Sequence, residues 1–224
     1  APDHKDRSEL DRWILSELNT LVLSVTNDLE KFEPERVTRN VENFVEYLSN
    51  WYVRRSRRRF WKSGVLSGSM VDSDLDKLSA YFTLYEVLVT LSRLTAPIIP
   101  FVTESIYQNL AVSSGQSYES VHLEAYPTAD VDLIDEDLSE KTRLAMRLSS
   151  MGRSARSKAS VKVRQPLEQL FVKTRTSSEM EMIESVSDQI KEELNVKTIT
   201  LVSDASEIVN FQLQPNLPVL GPRY

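Results

Sequence analysis

The hydrophobic residues in the first part of the chain recur every three or four positions, which is the spacing of one face of an amphipathic helix. The first such stripe lies in residues 10–32 and consists of Leu10, Ile14, Leu18, Leu21, Val25, Leu29 and Phe32. Pro34 follows at a position suited to the first turn of a new helix. The second stripe consists of Val37, Val41, Phe44, Leu48 and Trp51. The pattern therefore predicts two consecutive helices, and the second runs into a cluster of arginines.

Further helices are predicted at residues 74–95, 102–110 and 135–158. The stripe expected to mark the first of these consists of Leu75, Leu78, Phe82, Tyr85, Val89 and Ser92. Pro97 and Pro100 end that helix, because proline cannot continue it. Residues 113–133 lack a helical period, so we expect a connecting loop with one short extended piece at residues 120–123.

The pattern of apolar and polar residues changes after Pro166. The elements expected there are a strand at residues 167–172, a helix at 178–194, and strands at 196–202 and 208–213. We therefore predict a mainly α protein. Residues 1–160 form a helical bundle of four to five helices, and residues 161–224 form a small α/β appendage.

Composition excludes several classes of site. The 224 residues include no cysteine, and His4 and His122 lie far apart, so neither a disulfide framework nor a metal site is expected. No apolar run reaches the roughly 18 to 20 residues of a membrane span, which predicts a soluble protein. Phosphate-binding loops and nucleophile motifs are missing as well, so we predict no catalytic residue and no cofactor in this chain. Both ends look like cuts in a larger polypeptide.

Positive charge is concentrated in one segment of an acidic chain whose net charge is -6. Residues 50–62 read NWYVRRSRRRFWK, in which five arginines lie between aromatic residues. Such a cluster can neutralise phosphates while the rings stack on bases, which favours a nucleic-acid partner. A solvated basic helix end is the alternative, and charge alone does not decide between them.

Helical phase divides the cluster into two faces when each residue turns the chain by about 100°. With the second stripe facing inward, Arg54, Arg57 and Trp61 point away from the core and Arg58 lies between. We predict RNA contact by the outer set and the adjoining lysine: Arg54, Arg57, Arg58, Trp61 and Lys62. Structural roles are predicted for the inner set and the rings that it can stack on: Arg55, Arg59, Trp51 and Tyr52.

A second basic stretch covers the end of the fifth predicted helix and the turn after it. Its candidate RNA-binding residues are Arg153, Arg156, Lys158, Lys162 and Arg164. These side chains could extend the polyanion-binding surface of the arginine cluster. Alternatively, these residues form a solvated linker, and their positive charge only stabilises the C-terminal end of the helix. The sequence spacing does not decide between the two.

Six segments resemble the anticodon-binding domain of isoleucyl-tRNA synthetases, which are class I aminoacyl-tRNA synthetases. The most specific is LSNWYVRRSRRRFW at residues 48–61, and the others are residues 11–16, 94–104, 162–167, 194–197 and 215–222. The last two are similar to the junction segment of the eukaryote-like branch of that family.

The resemblance implies a parent enzyme in the cytoplasm that uses ATP to attach isoleucine to its tRNA. Partners implied in this way are isoleucine-accepting tRNA and the catalytic and editing domains of the parent chain. The adenylate-site motifs of the family, HIGH and KMSKS, have no counterpart here. We therefore expect the tRNA-facing part of such an enzyme, where single-stranded anticodon bases can be splayed and stacked.

A function of another class stays open at this stage. The bundle could be a protein-interaction module whose arginines bind an acidic partner or a neighbouring domain. A DNA-binding role is disfavoured because no helix-turn-helix spacing or dimer-forming repeat is present.

Overall fold

The computed structural model of the chain describes residues 2–61, 72–115 and 118–204. The α-helices are α1 (Glu9–Glu30), α2 (Pro34–Tyr47), α3 (Arg54–Trp61), α4 (Asp72–Thr95), α5 (Pro100–Leu110), α6 (Glu136–Lys158), α7 (Ser177–Ser185) and α8 (Ser187–Leu194). A π-helix, Leu48–Val53, lies between α2 and α3. Strands β1 (Leu167–Lys173) and β2 (Val196–Val202) form a two-stranded sheet. The prediction of a mainly α fold with a small α/β appendage is confirmed.

The chain divides into two compact units, Ala1–Thr142 and Arg143–Tyr224. This division falls inside α6, whereas the predicted boundary near residue 160 lies just beyond the end of that helix. The domain limits derived from the sequence stay a prediction.

Helix α1 forms the centre of the first unit and packs against both α2 and α4. Ser8 is the N-cap of the helix: its hydroxyl accepts from the Asp11 N–H at 3.3 Å and donates to the Asp11 carboxylate at 2.8 Å. The large side chains that α1 buries are Trp13, Ile14, Leu15, Leu18, Leu21, Val22 and Val25. Phe32, predicted to end the stripe, is instead 90% exposed because it lies beyond the helix with a φ of 58°.

Helix α4 is present as predicted, but half of its predicted inward stripe is wrong. Leu75, Phe82 and Tyr85 are exposed. The buried face carries mostly smaller side chains: Ser79, Ala80, Thr83, Val87, Ser92 and Leu94. Apolar residues surround much of α4, so their spacing does not fix which face turns inward.

The loop after α5 is held by a carboxylate on that helix. Glu104 accepts hydrogen bonds from the Val121 N–H at 2.9 Å, the Ser120 hydroxyl at 3.0 Å and the Gln108 amide at 2.7 Å. The extended piece predicted at residues 120–123 is a 3-10 turn, Val121–Leu123. A carboxylate that accepts hydrogen bonds from neighbouring residues of the loop favours a turn over a strand, because it draws those residues together at one point.

The second unit contains the β-α-α-β segment and the second half of α6. Strands β1 and β2 are parallel, with Leu167 opposite Val196 and Lys173 opposite Val202. Helices α7 and α8 replace the single helix predicted at residues 178–194, and they meet at Val186. Their buried side chains are Ile183, Val186, Ile190 and Leu194. The strand predicted at residues 208–213 lies outside the described residues.

None of the helices within residues 2–61, 72–115 and 118–204 has the length and apolar character needed to cross a membrane.

Candidate nucleic-acid interface

The arginine cluster lies on a helix that reaches it through a π-helical segment. Backbone angles stay helical at both junctions, with φ and ψ of -59° and -52° at Leu48 and of -61° and -43° at Arg54. Helices α2 and α3 are therefore continuous through the π-helix. Such segments are rare and often mark functional sites.

The π-helix changes which residue of the cluster faces the core. Its hydrogen bonds span five residues rather than four, so each residue turns the chain by less than in an α-helix. A regular α-helix would place Arg55 on the inward stripe. In the structure Ser56 occupies that position and is fully buried, whereas Arg55 is half-buried. Only a small side chain suits a place where α3 packs this closely.

Four predicted RNA-binding side chains share the outer face of α3. Arg54, Arg57, Arg58 and Trp61 follow the spacing i, i+3, i+4 and i+7, which groups residues on one side of a helix. All four are exposed, and Trp61 is 78% exposed. Arg54 also donates from Nε to the Asn50 carbonyl oxygen at 2.8 Å. Lys62 lies outside the described residues. The face combines three guanidinium groups with one indole ring.

Arg59 points to the opposite side and joins α3 to two other helices. Its Nη1 and Nη2 donate to the two carboxylate oxygens of Asp11 in α1, at 2.9 and 2.6 Å. Its Nε donates to the Asp76 carboxylate in α4 at 2.8 Å, and Nη2 donates to the Asp76 carbonyl oxygen at 3.0 Å. Bidentate pairing of this kind fixes direction as well as distance. The inner side of α3 is therefore tied to α1 and α4.

Tyr52 completes the same cluster from the π-helix. Its hydroxyl donates to the Asp11 carboxylate at 2.7 Å, and both side chains are fully buried. Burial raises the pKa of the Tyr52 phenol well above its ordinary value, and the charge of Asp11 raises it further. Burial by itself would lower the pKa of Arg59, but hydrogen bonds and attraction from Asp11 and Asp76 outweigh it and raise that pKa. Arg59 is therefore a cation and Tyr52 a neutral donor at physiological pH.

Arg55 makes a different contact from Arg59. Its guanidinium lies 5.2 Å from the centroid of the Trp51 ring, and Trp51 is buried. This is a cation–π arrangement near the surface. The two arginines that the sequence assigns to one inner face thus have distinct surroundings.

The second basic stretch lies in the second unit and divides into exposed and engaged side chains. Lys158, Lys162 and Arg164 are exposed. Arg153 forms an ion pair with Glu193 of α8, although 41% of its side chain remains accessible.

Arg156 has a structural role that the sequence did not predict. The residue is only 5% exposed, and its guanidinium donates to the carbonyl oxygens of Lys162, Gln165, Leu194 and Asn195 at 2.6 to 3.2 Å. It thereby binds the end of α8 to the turn after α6. A guanidinium so occupied is not available to a phosphate, so the structure argues against RNA contact by Arg156.

Asp11 is central to this network, although the sequence did not single it out as a site residue. A signal for it exists, because Ser8-Glu9-Leu10-Asp11 matches the capping-box pattern before an apolar run. That pattern predicts the bond to Ser8 but gives no hint of Tyr52 or Arg59. No comparable signal marks Asp76.

Residues 2–61, 72–115 and 118–204 contain no group of three or more His, Cys, Asp or Glu side chains arranged to hold a metal ion. The His4 ring lies 3.1 Å from the Glu86 carboxylate of α4. Arg7 contacts the same carboxylate at 3.0 Å. The N-terminal segment is thus attached to α4.

Comparison with known proteins gives a consistent result. Residues 11–172 match the family model described as "Anticodon-binding domain of tRNA ligase". An isoleucine–tRNA ligase of Dehalococcoides mccartyi is 56% identical over 194 residues, which are 86% of this chain and 18% of that protein. An isoleucine–tRNA ligase of Clostridium novyi is 43% identical over 223 residues, or 99% of this chain and 20% of the relative. One of Thermus thermophilus is 41% identical over 225 residues, or 100% and 21%.

The chain spans about a fifth of the length of these relatives. Their names agree with the family resemblance found in the sequence, which is confirmed, while its eukaryote-like branch stays a prediction. The family model covers well over half of the chain and includes most of α1, the arginine cluster and most of β1. The chain therefore belongs to the family of anticodon-binding domains of tRNA ligases.

Proposed function

We propose that this chain binds the anticodon stem and loop of isoleucine-accepting tRNA, as part of an isoleucine–tRNA ligase. The observation that carries the proposal is the outer face of α3, where Arg54, Arg57 and Arg58 lie on the same exposed side of the helix as Trp61. These side chains span roughly 10 Å along the helix at about 1.5 Å per residue. Guanidinium groups neutralise phosphates, and an exposed indole offers a flat surface to an unpaired base.

Charge distribution supports a polyanion partner at this face. The chain as a whole carries a net charge of -6, which disfavours non-specific RNA binding by the whole surface. Concentrating arginine on one face directs the RNA to that face.

The proposal extends to exposed cations of the second unit. Lys158, Lys162 and Arg164 are available to phosphates, and the accessible part of Arg153 adds a further contact. Lys62 belongs to the proposed RNA-binding set through its position in the sequence directly after Trp61.

The remaining parts of such a ligase would supply the chemistry. We propose that a parent protein in the cytoplasm uses ATP to attach isoleucine to tRNA, and that this chain contacts its catalytic and editing domains. Names of the relatives support this reading over a protein-interaction module.

A competition experiment tests the proposal. The chain is mixed with a labelled transcript of an isoleucine-accepting tRNA, and unlabelled cognate or non-cognate tRNA is added at moderate salt. We expect the cognate transcript to compete more strongly. Equal competition by both would contradict recognition of isoleucine tRNA, and failure to bind either would contradict tRNA binding itself.

A further inference from the structure

The Asp11 carboxylate accepts hydrogen bonds from three separate parts of the first unit. Asp11 accepts from the Ser8 hydroxyl at 2.8 Å, the Tyr52 hydroxyl at 2.7 Å and the guanidinium of Arg59 at 2.9 and 2.6 Å. Asp11 is fully buried, so its charge depends on these partners. The start of α1, the π-helix and α3 therefore meet at a single group.

Arg59 extends this arrangement to α4 through Asp76. We call Asp11, Tyr52, Arg59 and Asp76 the clamp. Its two carboxylates face one guanidinium, which leaves Arg59 no surplus charge to offer a phosphate. The outer face of α3 and the clamp lie on opposite sides of the same two-turn helix.

We propose that the clamp positions α3 for tRNA by fixing its rotation about the helix axis, an inference that rests on the proposed function. Turning α3 by one residue, about 100°, would withdraw Arg59 from Asp11 and carry part of the arginine face toward the core. A buried carboxylate without its cation is strongly unfavourable, so that rotation is blocked. Clamp residues are positioning residues and do not touch RNA.

The π-helix gives such a device a purpose. Replacement of its hydrogen bonds by those of an α-helix would change the phase of every residue after it. Tyr52 lies within the π-helix and Arg59 lies two turns later, and both bind Asp11. Anchoring both ends to one carboxylate fixes the phase between them.

The variant Asp11→Asn distinguishes a positioning role of the clamp from a simple effect of charge on tRNA binding. The substitution removes a negative charge, so attraction alone predicts tighter binding to tRNA. Loss of the clamp predicts the opposite: about tenfold weaker binding, with a salt slope smaller by about 1, because one or more arginines leave the phosphates. Tyr52→Phe, which changes no charge, should act in the same direction.

Asp28→Asn is the matched control. Asp28 is also a buried carboxylate of α1, but it pairs with Asn40 and Arg36 of α2. Its substitution makes the same change in charge and disturbs the bundle away from α3. We expect unchanged or slightly tighter tRNA binding. Circular dichroism at the assay temperature verifies that each variant is folded.

Iodide quenching of tryptophan fluorescence gives a readout that needs no RNA. Trp61 is exposed beside arginines that attract iodide, whereas Trp13 and Trp51 are buried. At constant ionic strength we expect the quenching constant to fall in Tyr52→Phe and Asp11→Asn and to stay unchanged in Asp28→Asn. If quenching is weak in the clamp variants but no protein, wild type included, binds tRNA, the proposed function is contradicted and the clamp is not. Clamp variants with wild-type quenching and wild-type or tighter tRNA binding would overturn the clamp.

Discussion

The guanidinium of Arg59 and the carboxylate of Asp11 form two parallel hydrogen bonds, 2.9 and 2.6 Å long, between residues separated by 48 positions in the sequence. Asp11 is fully buried, and 12% of the Arg59 side chain is exposed. This pair determines which part of a dense arginine run belongs to the core. The remaining arginines are thereby directed to the surface.

Arg59→Ala should destabilise the protein far more than Arg55→Ala. Removing Arg59 leaves Asp11 buried without its cation, which costs about 3–5 kcal/mol. Arg55 is half-buried against Trp51, and the loss of a cation–π contact near the surface costs about 0.5–1 kcal/mol. Urea unfolding of both variants measures the difference. Equal losses would show that the inner face is shared by the two arginines, as the regular helical phase predicts.

Ser56→Leu should lower the free energy of unfolding by about 1–3 kcal/mol, since a larger side chain overpacks a fully buried site. Ser49→Leu is the control, because Ser49 is exposed in the π-helix and its replacement should stay within about 0.5 kcal/mol. Thermal unfolding of the two variants tests this contrast. A tolerated leucine at residue 56 would refute close packing of α3.

Arg156→Lys should destabilise the second unit although it keeps the charge. Lysine has one nitrogen and cannot reproduce the fork that reaches four carbonyl oxygens. Loss of charge-assisted bonds of this kind costs about 1.5–3 kcal/mol. Lys158→Arg serves as the exposed control and should leave the melting temperature unchanged. If Arg156→Lys weakens tRNA binding without loss of stability, Arg156 contacts RNA after all.

Glu104→Gln should flatten the acid limb of the stability curve. Hydrogen bonds, first from Gln108 and then from the Val121 N–H and Ser120, hold the pKa of Glu104 below its ordinary 4.5. A lowered pKa contributes stability that is complete above the ordinary value and is lost as pH falls through the lowered one. The variant should therefore lose less stability than wild type below pH 4.5. Identical pH profiles from chemical denaturation would show that the carboxylate cage has no energetic effect.

Much of the fold follows from the sequence, because the spacing of apolar residues marks α1, Pro34 lies at the start of α2, and Pro97 and Pro100 follow the end of α4. Helix α4 shows where that reasoning ends. Apolar residues surround this helix, so tertiary packing decides which face is buried. Small residues such as Ala80 and Thr83 are buried, whereas Phe82 is exposed.

Similar limits apply to the site. The exposed side of α3 follows from residue spacing, since Arg54, Arg57 and Arg58 lie within one arc of the helix. The π-helix is not visible in the pattern, so Ser56, rather than the predicted Arg55, occupies the inward position. Partners distant in sequence, such as Asp11 for Arg59 or Leu194 for Arg156, emerge only from the three-dimensional structure.

The salt dependence of tRNA binding tests the central claim most directly. The dissociation constant is measured against salt concentration for wild type, for Arg54→Glu and Arg57→Glu singly and combined, and for Arg39→Glu, an exposed arginine of α2. Each outer-face substitution should reduce the slope of log K against log salt by about 1 while the melting temperature stays near that of wild type. Arg39→Glu should leave the slope unchanged. Equal slopes for all these proteins would contradict the account, because the outer face of α3 would then not neutralise the phosphates of tRNA.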